Sequence, residues 1–129
     1  MYTIIVTGAI IQKGDRFLIC RRGSKEKSPG MWEFPGGKLE DGESLQECIK
    51  RELKEELNID ADIGELYTNY TYEYPHVSYE LYFYKVNSFK GTLAMSVHDK
   101  LEWEKLENFH KYEFLAGDTP VIEKIKKNV

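Results

Sequence analysis

The chain has 129 residues, of which 41% are apolar and 31% charged, with a formal net charge of −4 at pH 7. These values are typical of a globular protein, and we expect one domain spanning residues 1–129. The negative charge argues against polymeric nucleic acid as a partner, and no apolar run is long enough to cross a membrane. The start, Met1-Tyr2-Thr3, lacks the features of a signal peptide. Cys20 and Cys48 lack metal-ligand spacing, so we expect reduced thiols in a cytoplasmic protein.

The chain begins with a predicted β-hairpin. Residues 2–12 form a nearly continuous apolar and β-branched run, which predicts a strand buried on both faces. Lys13-Gly14-Asp15 is predicted to form a tight turn, and residues 16–20 return as the partner strand. We expect this second strand to end at Arg21 and Arg22.

A loop and a glycine-rich turn follow the hairpin. Residues 23–31 are polar and predict a loop. Trp32 and Phe34 come next, and we expect both side chains to lie in the core. Residues 36–42, with the sequence G-G-K-L-E-D-G, predict a glycine-rich loop that leads into a helix.

The helix after this loop has clear signals at both ends. Ser44 and Glu47 have the spacing of a capping box, in which each side chain satisfies a backbone amide at the helix start. Asn58 stands where a left-handed residue is expected to end the helix. The apolar residues between them recur at steps of three and four, as in an amphipathic helix: Leu45, Cys48, Ile49, Leu53 and Leu57.

The second half of the chain is richer in strands. We predict a tyrosine-rich hairpin at residues 66–86 around Pro75-His76, preceded by a connector at residues 60–64. The other predicted elements are a loop at 87–100, a short strand at 101–103, a connector or helical turn at 107–112, a loop at 114–118, and a closing helix capped by Thr119, with Pro120 as its first residue, that ends near Lys127.

Three carboxylates crowd one side of the predicted central helix. Glu52, Glu55 and Glu56 are separated by three or four residues, so they project in similar directions. Carboxylate oxygens, together with a carbonyl from the glycine turn, are ligands that Mg²⁺ prefers beside phosphate groups. An E-x-x-E-E pattern alone also fits a solvated helix face with basic neighbours as ion-pair partners.

The wider spacing decides between these interpretations. Gly37, Glu43 and the segment R-E-L-K-E-E-L-N-I at residues 51–59 resemble the Nudix box, G-x5-E-x7-R-E-U-x-E-E-x-G-U, at every specified position except Asn58. The preceding W-E-F-P-G-G-K, residues 32–38, resembles the segment that leads into the box in MutT-like members of the Nudix hydrolase family. The resemblance covers nearly the whole chain and implies the α+β Nudix fold, an α/β/α sandwich with a central mixed β-sheet.

The resemblance also implies a catalytic centre with Mg²⁺ as its metal and Mn²⁺ as a possible substitute. Residues are assigned to it by their positions in the box. Glu52, Glu55 and Glu56 would be metal ligands together with the Gly36 carbonyl, and Glu52 is also a general-base candidate. Arg51 would orient a box carboxylate, and Glu43 would fix the loop or a metal-bound water.

Four residues are candidates for substrate binding. Arg22 and Lys38 would contact phosphates, and Glu33 and Asp118 complete the set. Asp118 stands where guanine-specific MutT-like members have Asn, and an Asp there occurs in relatives that favour cytidine nucleotides. A protonated Asp would also suit an altered purine.

Two further departures from the MutT-like pattern limit the substrate assignment. Val77 replaces the Arg of the guanine-specific members. Val97 replaces a loop Glu that serves many members as metal ligand or base. Either the neighbouring Asp99 substitutes for it, or the helix carboxylates act alone.

These residues favour a Mg²⁺-dependent nucleoside triphosphate pyrophosphohydrolase that removes oxidised or otherwise modified (d)NTPs, such as 8-oxo-dGTP or cytidine-type triphosphates. It would release monophosphate and pyrophosphate and act as a monomer or homodimer. One alternative is a Nudix hydrolase of ADP-ribose or nucleotide sugars. Another is a Nudix module that binds nucleotides without turnover.

Overall fold

The structure, a computed structural model, describes residues 2–128. Its elements, in chain order, are the strands β1 (Tyr2–Ile10), β2 (Gln12–Lys13), β3 (Arg16–Arg22), β4 (Trp32–Glu33) and β5 (Gly36–Lys38), helix α1 (Leu45–Leu57), strands β6 (Asp60–Glu73), β7 (Val77–Lys90) and β8 (His98–Lys105), two 3-10 turns (Leu106–Lys111 and Ala116–Asp118) and helix α2 (Thr119–Lys127).

The strands form a mixed sheet and an antiparallel sheet. The mixed sheet has the order β5-β1-β7-β6, in which β1 runs parallel to β7 and antiparallel to β5. In the second sheet, β3 lies between β4 and β8 and also pairs with β2. The α+β class and the mixed sheet are therefore confirmed, with the strands divided between two sheets.

Two hydrophobic cores separate the two helices. The apolar stripe of α1 packs on one core, and α2 packs on the other through Val121, Ile122 and Ile125. Ile10 joins the α2 core, whereas its neighbours Ala9 and Ile11 join the α1 core. Because side chains alternate between the faces of a strand, this end of β1 is buried on both faces, as predicted, although Tyr2 and Thr3 are exposed.

The box helix forms as the sequence predicts. Ser44 and Glu47 make both hydrogen bonds of the capping box, the backbone N–H of each residue donating to the side chain of the other. The helix ends at Asn58, whose φ of 60° is left-handed and whose backbone N–H donates to the Lys54 carbonyl. The cap and the stop together fix which residues of α1 face Gly36 and Gly37 of β5, referred to as the glycine turn.

Several predicted boundaries are wrong. Residues 60–64 belong to β6, because pairing with β7 overrides their polar composition. Gly36–Lys38 is a strand rather than a loop, since it pairs with β1. The predicted loop at 87–100 shrinks to residues 91–97, because β7 and β8 extend into it. Thr119 is the first residue of α2, and Asp118 takes the N-cap position without a capping hydrogen bond.

Other predictions are confirmed. Trp32, Phe34 and both cysteines are buried, and the cysteines are free thiols. Within residues 2–128, no helix has the length and apolar character needed to span a membrane.

The left-handed residue at the end of α1 gives a test of this fold. We expect Asn58→Ala to lower the free energy of unfolding by about 1 kcal/mol, because a Cβ disfavours left-handed geometry and alanine lacks the polar side chain of asparagine. Asn58→Gly should match or exceed the wild-type stability, since glycine adopts this conformation without strain. Urea unfolding of the three proteins measures both effects. Equal stability of the alanine and glycine variants would contradict the assigned geometry.

Candidate active site

Arg51 is the centre of an ion-pair network on α1. Its Nε and Nη2 donate to both oxygens of Glu43, at 3.0 and 2.7 Å, and Nη2 also donates to the Lys38 carbonyl at 3.0 Å. Its Nη1 donates to Glu52 at 2.8 Å and to Glu55 at 3.0 Å. These bonds raise the pKa of Arg51 and lower that of Glu43 to about 2. One guanidinium therefore joins the loop before α1 to the carboxylates on the helix.

The Glu52 carboxylate lies against the backbone of Gly37. A Cβ at Gly37 would collide with the carboxylate, so only glycine leaves room for it. Burial raises the pKa of Glu52, and the ion pair with Arg51 acts in the opposite direction. The box glycine is therefore needed for the position of a neighbouring side chain.

Glu56, one helical turn after Glu52, points to the adjacent glycine of the same segment. Its Oε1 accepts a hydrogen bond of 3.1 Å from the backbone N–H of Gly36. Burial, followed by the charges of Glu33 and Glu52, raises the pKa of Glu56 to about 9. Gly36 itself sits so close to β1 that a Cβ would collide with the Thr7 carbonyl. This close approach places the Gly36–Gly37 backbone beside the two carboxylates.

Glu55 takes a different direction from Glu52 and Glu56. It is exposed, and both of its oxygens accept hydrogen bonds from Arg51, at 3.0 and 3.2 Å. Across residues 2–128, no three His, Cys, Asp or Glu side chains converge closely enough to form a complete cation site. The structure thus brings Glu52 and Glu56 together at the glycine turn and leaves Glu55 at the edge.

Arg22 and Glu33 form a second, half-buried ion pair. Nη1 of Arg22 donates to both carboxylate oxygens of Glu33, at 3.0 and 3.1 Å, and Nε donates to the Lys27 carbonyl. The Lys38 side chain is exposed, and Arg51 contacts Lys38 at its backbone carbonyl. A carboxylate therefore orients the Arg22 side chain, whereas the Lys38 side chain is solvated.

Asp118 is buried at the start of α2. Its Oδ2 accepts a hydrogen bond of 3.0 Å from the backbone N–H of Phe34. Burial, followed by the charge of Glu33, raises the pKa of Asp118 to about 7. This carboxyl group is thus protonated more readily than that of an exposed aspartate.

The segment that carries Val97 is tied to both β3 and α1. Ser96 Oγ donates to the Glu55 carbonyl at 3.1 Å, and the Val97 carbonyl accepts from the Gly23 N–H at 3.0 Å. Asp99 is exposed and pairs with Arg21 at 2.7 Å, which lowers the pKa of Asp99. Asp99 is thus held on the Arg21 side of β3, whereas Glu52 and Glu56 face the glycine turn.

A family model described as NUDIX domain matches residues 1–125 of the chain. The chain belongs to the Nudix family. The CTP pyrophosphohydrolase of Escherichia coli (strain K12) is 35% identical over 123 residues, which cover 95% of this chain and 91% of that relative. The 8-oxo-dGTP diphosphatase of the same organism is 31% identical over 123 residues, covering 95% of both chains.

A solved structure of a MutT protein has the same fold. The crystal structure of the MutT protein from Methanosarcina mazei Go1 superposes with a TM-score of 0.87 at 25% identity, covering 98% of this chain and 95% of that chain. This protein is therefore a MutT-like Nudix hydrolase, and the resemblance inferred from the box is confirmed.

Nudix hydrolases generally need a divalent metal, and the donor atoms of this Nudix hydrolase fit one. Glu52 and Glu56 are close enough for the charge of Glu52 to raise the pKa of Glu56, so a cation between them would relieve their repulsion. Metal ligands must be deprotonated, so a cation held by Glu56 would displace its proton. Carboxylate oxygens and a backbone carbonyl are hard donors, which suit Mg²⁺. Glu55 could join them only after leaving Arg51.

The sequence did not identify His98 as part of this region. His98 is buried, and its Nε2 lies 2.9 Å from Oε2 of Glu33. A polar residue in an apparent loop gives no sign of burial, because that depends on the pairing of β8 with β3.

The packing of Glu52 on Gly37 gives a test of the site. We expect Gly37→Ala to fold normally, because the added Cβ meets the end of a flexible side chain rather than backbone. Displacing the carboxylate should lower kcat/KM by about 10–100-fold, the loss typical of a catalytic group misplaced by an ångström. Steady-state kinetics and thermal melting measure the two effects.

The control for Gly37→Ala is the double variant with Glu52→Gln. The double variant should be no less active than Glu52→Gln alone, because both changes act through the same carboxylate. Full activity of Gly37→Ala would contradict the assigned role of this contact.

Proposed function

We propose that this Nudix hydrolase is a Mg²⁺-dependent nucleoside triphosphate pyrophosphohydrolase that removes oxidised or otherwise modified (d)NTPs, with Mn²⁺ as a possible substitute. It would release a nucleoside monophosphate and pyrophosphate. The observation that carries the proposal is the convergence of Glu52 and Glu56 on the Gly36–Gly37 backbone, with Arg22 close enough for its charge to act on Glu56. The named activities of the two Escherichia coli relatives support the same reaction class.

The residues of the site would divide the reaction between them. Glu52, Glu56 and the Gly36 carbonyl would hold the metal, with Glu55 as a further ligand once it leaves Arg51. When bound, the metal would activate water and neutralise charge on the phosphate oxygens. Glu52, which has a raised pKa, is the candidate for accepting the proton of the attacking water.

The remaining residues would orient these groups and the substrate. Arg51 would keep Glu52 in position and Glu43 would anchor Arg51, as their hydrogen bonds indicate. Arg22 and Lys38 would bind the phosphate oxygens that the metal leaves uncovered, because a guanidinium or an ammonium suits phosphate.

Asp118 is the residue that we propose to read the base. Two of the relatives act on CTP and 8-oxo-dGTP by name, and the Asp at this position fits both. An ionised Asp accepts a hydrogen bond from the amino group of cytosine. A protonated Asp donates a hydrogen bond, which suits an altered purine, and the pKa of about 7 allows either form. Glu33 would act on Asp118 through its charge, which raises the pKa of Asp118.

We further propose that residues 1–129 act as one domain in the cytoplasm, as a monomer or homodimer, on small nucleotides rather than on polymeric nucleic acid. The net charge of −4 supports the last point, since surfaces that bind polymeric nucleic acid are usually basic.

A hydrolysis screen tests the reaction class. With Mg²⁺, we expect pyrophosphate release from CTP, a modified cytidine triphosphate or 8-oxo-dGTP, and little turnover of ADP-ribose or nucleotide sugars. EDTA should abolish activity, and Mn²⁺ should restore it. Glu52→Gln should lose at least 100-fold in kcat, as is common when a catalytic acid or base is removed. Glu123→Gln, the same change on an exposed residue of α2, is the matched control and should retain activity.

The screen separates the alternatives. Turnover of ADP-ribose in place of triphosphates would support the second enzyme class, and nucleotide binding without any turnover would support the binding module. Either result would refute the proposed function.

A second test addresses base selection. We expect Asp118→Asn to shift the ratio of kcat/KM for 8-oxo-dGTP to that for CTP upward by about tenfold, the discrimination of one good base contact. The Asn oxygen can still accept the hydrogen bond from Phe34, so the fold should be retained. Kinetics with both substrates measures the ratio, and an unchanged ratio would remove Asp118 from base recognition.

A further inference from the structure

Three neighbouring strands bring Arg22, Glu33 and His98 together. Arg22 of β3 pairs with His98 of β8, and Glu33 lies on β4, on the other side of β3. The register of β3 and β8 shifts between Arg21 and Arg22, as in a β-bulge. Such irregularities turn a side chain out of its regular direction and are common beside active sites. Arg22 therefore stands at a register shift, where neighbouring contacts set the direction of its side chain.

The guanidinium of Arg22 has one nitrogen left for a ligand. Its Nε donates to the Lys27 carbonyl, and its Nη1 donates to both oxygens of Glu33. Among the hydrogen bonds of residues 2–128, Nη2 has no acceptor. Two of the three nitrogens thus fix the plane of the group, and the third is available to a phosphate oxygen.

His98 also contacts the Glu33 carboxylate. The His98 side chain is fully buried, and Nε2 lies 2.9 Å from Oε2 of Glu33. Nδ1 is buried and has no hydrogen-bond partner within the described chain. Because a carboxylate oxygen accepts hydrogen bonds, Nε2 is the donor of the pair with Glu33. Burying an unsatisfied polar atom weakens a fold, so its presence calls for an explanation other than stability.

We propose that His98 is a positioning residue for phosphate binding. It donates from Nε2 to Glu33, and Glu33 in turn orients Arg22 toward the triphosphate. The inference rests on the proposed function and deepens it, because it adds a residue that acts on the substrate only through Glu33 and Arg22. Without His98, Glu33 can rotate away and Arg22 loses its fixed plane.

Two substitutions of His98 separate positioning from packing. His98→Leu fills the space without a donor, and His98→Gln keeps an amide N–H that can reach Glu33. With CTP and saturating Mg²⁺, we expect the leucine variant to raise KM about tenfold, the effect of losing the order of one charge-assisted contact, with kcat little changed. The glutamine variant should restore most of the loss. Thermal melting of the leucine variant should show a single cooperative transition, which checks that the variant folds.

A double-variant cycle shows whether the effect passes through Arg22. Adding His98→Leu to Arg22→Ala should cause no further rise in KM. An unchanged KM in His98→Leu, no rescue by glutamine, or an equal effect of His98→Leu with and without Arg22 would each overturn the proposal. If the leucine variant does not fold, His98→Asn, whose amide stops short of Glu33, takes its place against His98→Gln.

Binding of inorganic tripolyphosphate with Mg²⁺ distinguishes this proposal from the proposed function. If the wild type hydrolyses no nucleoside triphosphate, the proposed function fails. The role of His98 is then decided by calorimetry alone. A dissociation constant raised by leucine and restored by glutamine supports it, and equal constants in all three proteins, or no binding by the wild type, refute it.

Discussion

The site depends on the way one guanidinium holds carboxylates that would otherwise repel each other. Two like charges 4 Å apart near a protein surface interact by about 4 kcal/mol, which is a large share of the stability of a small domain. Arg51 offsets this repulsion by contacting Glu43, Glu52 and Glu55 at once. A lysine could not do the same, because its point charge lacks the planar fork that engages Glu43 with two nitrogens. The order of the loop before α1 and of the carboxylates on α1 thus has a common origin.

Close backbone approach is the second condition for the site. Gly36 lies against Thr7 of β1, where a Cβ would collide with backbone, and Gly37 lies beneath Glu52, where a Cβ would displace the carboxylate. The first contact fixes the turn to the mixed sheet, and the second lets α1 come near enough for Glu56 to accept from the Gly36 N–H. The sheet, the turn and the helix therefore define one small volume. This is why a motif of local spacing in the sequence corresponds to a site in three dimensions.

The parts of this structure that sequence predicts are those with local causes. The capping box, the helical stripe and the stop at Asn58 depend on residues within one or two turns, and all three are found as predicted. The sequence predicts a connector at residues 60–64, whereas the structure has a strand there, because the strand geometry comes from pairing with β7, which lies far away in the chain. The burial of His98 is not evident from the sequence for the same reason, because it depends on the pairing of β8 with β3. Of the predicted site residues, Glu55 and Asp99 show best that a suitable residue type does not reveal which partner it faces, because both are held by arginines.

The charge of Glu33 acts on two carboxyl groups of the site, Glu56 and Asp118. This charge raises the pKa of Glu56 and the pKa of Asp118, and the charge of Arg22 lowers both. The two carboxyl groups therefore respond to the same ion pair, although one faces the glycine turn and the other the start of α2. On the proposed function, a phosphate that drew Arg22 away from Glu33 would leave Glu33 less well neutralised, and the pKa of Asp118 would rise further. The proposed binding of phosphate and the proposed reading of the base would then be coupled through the Arg22–Glu33 pair.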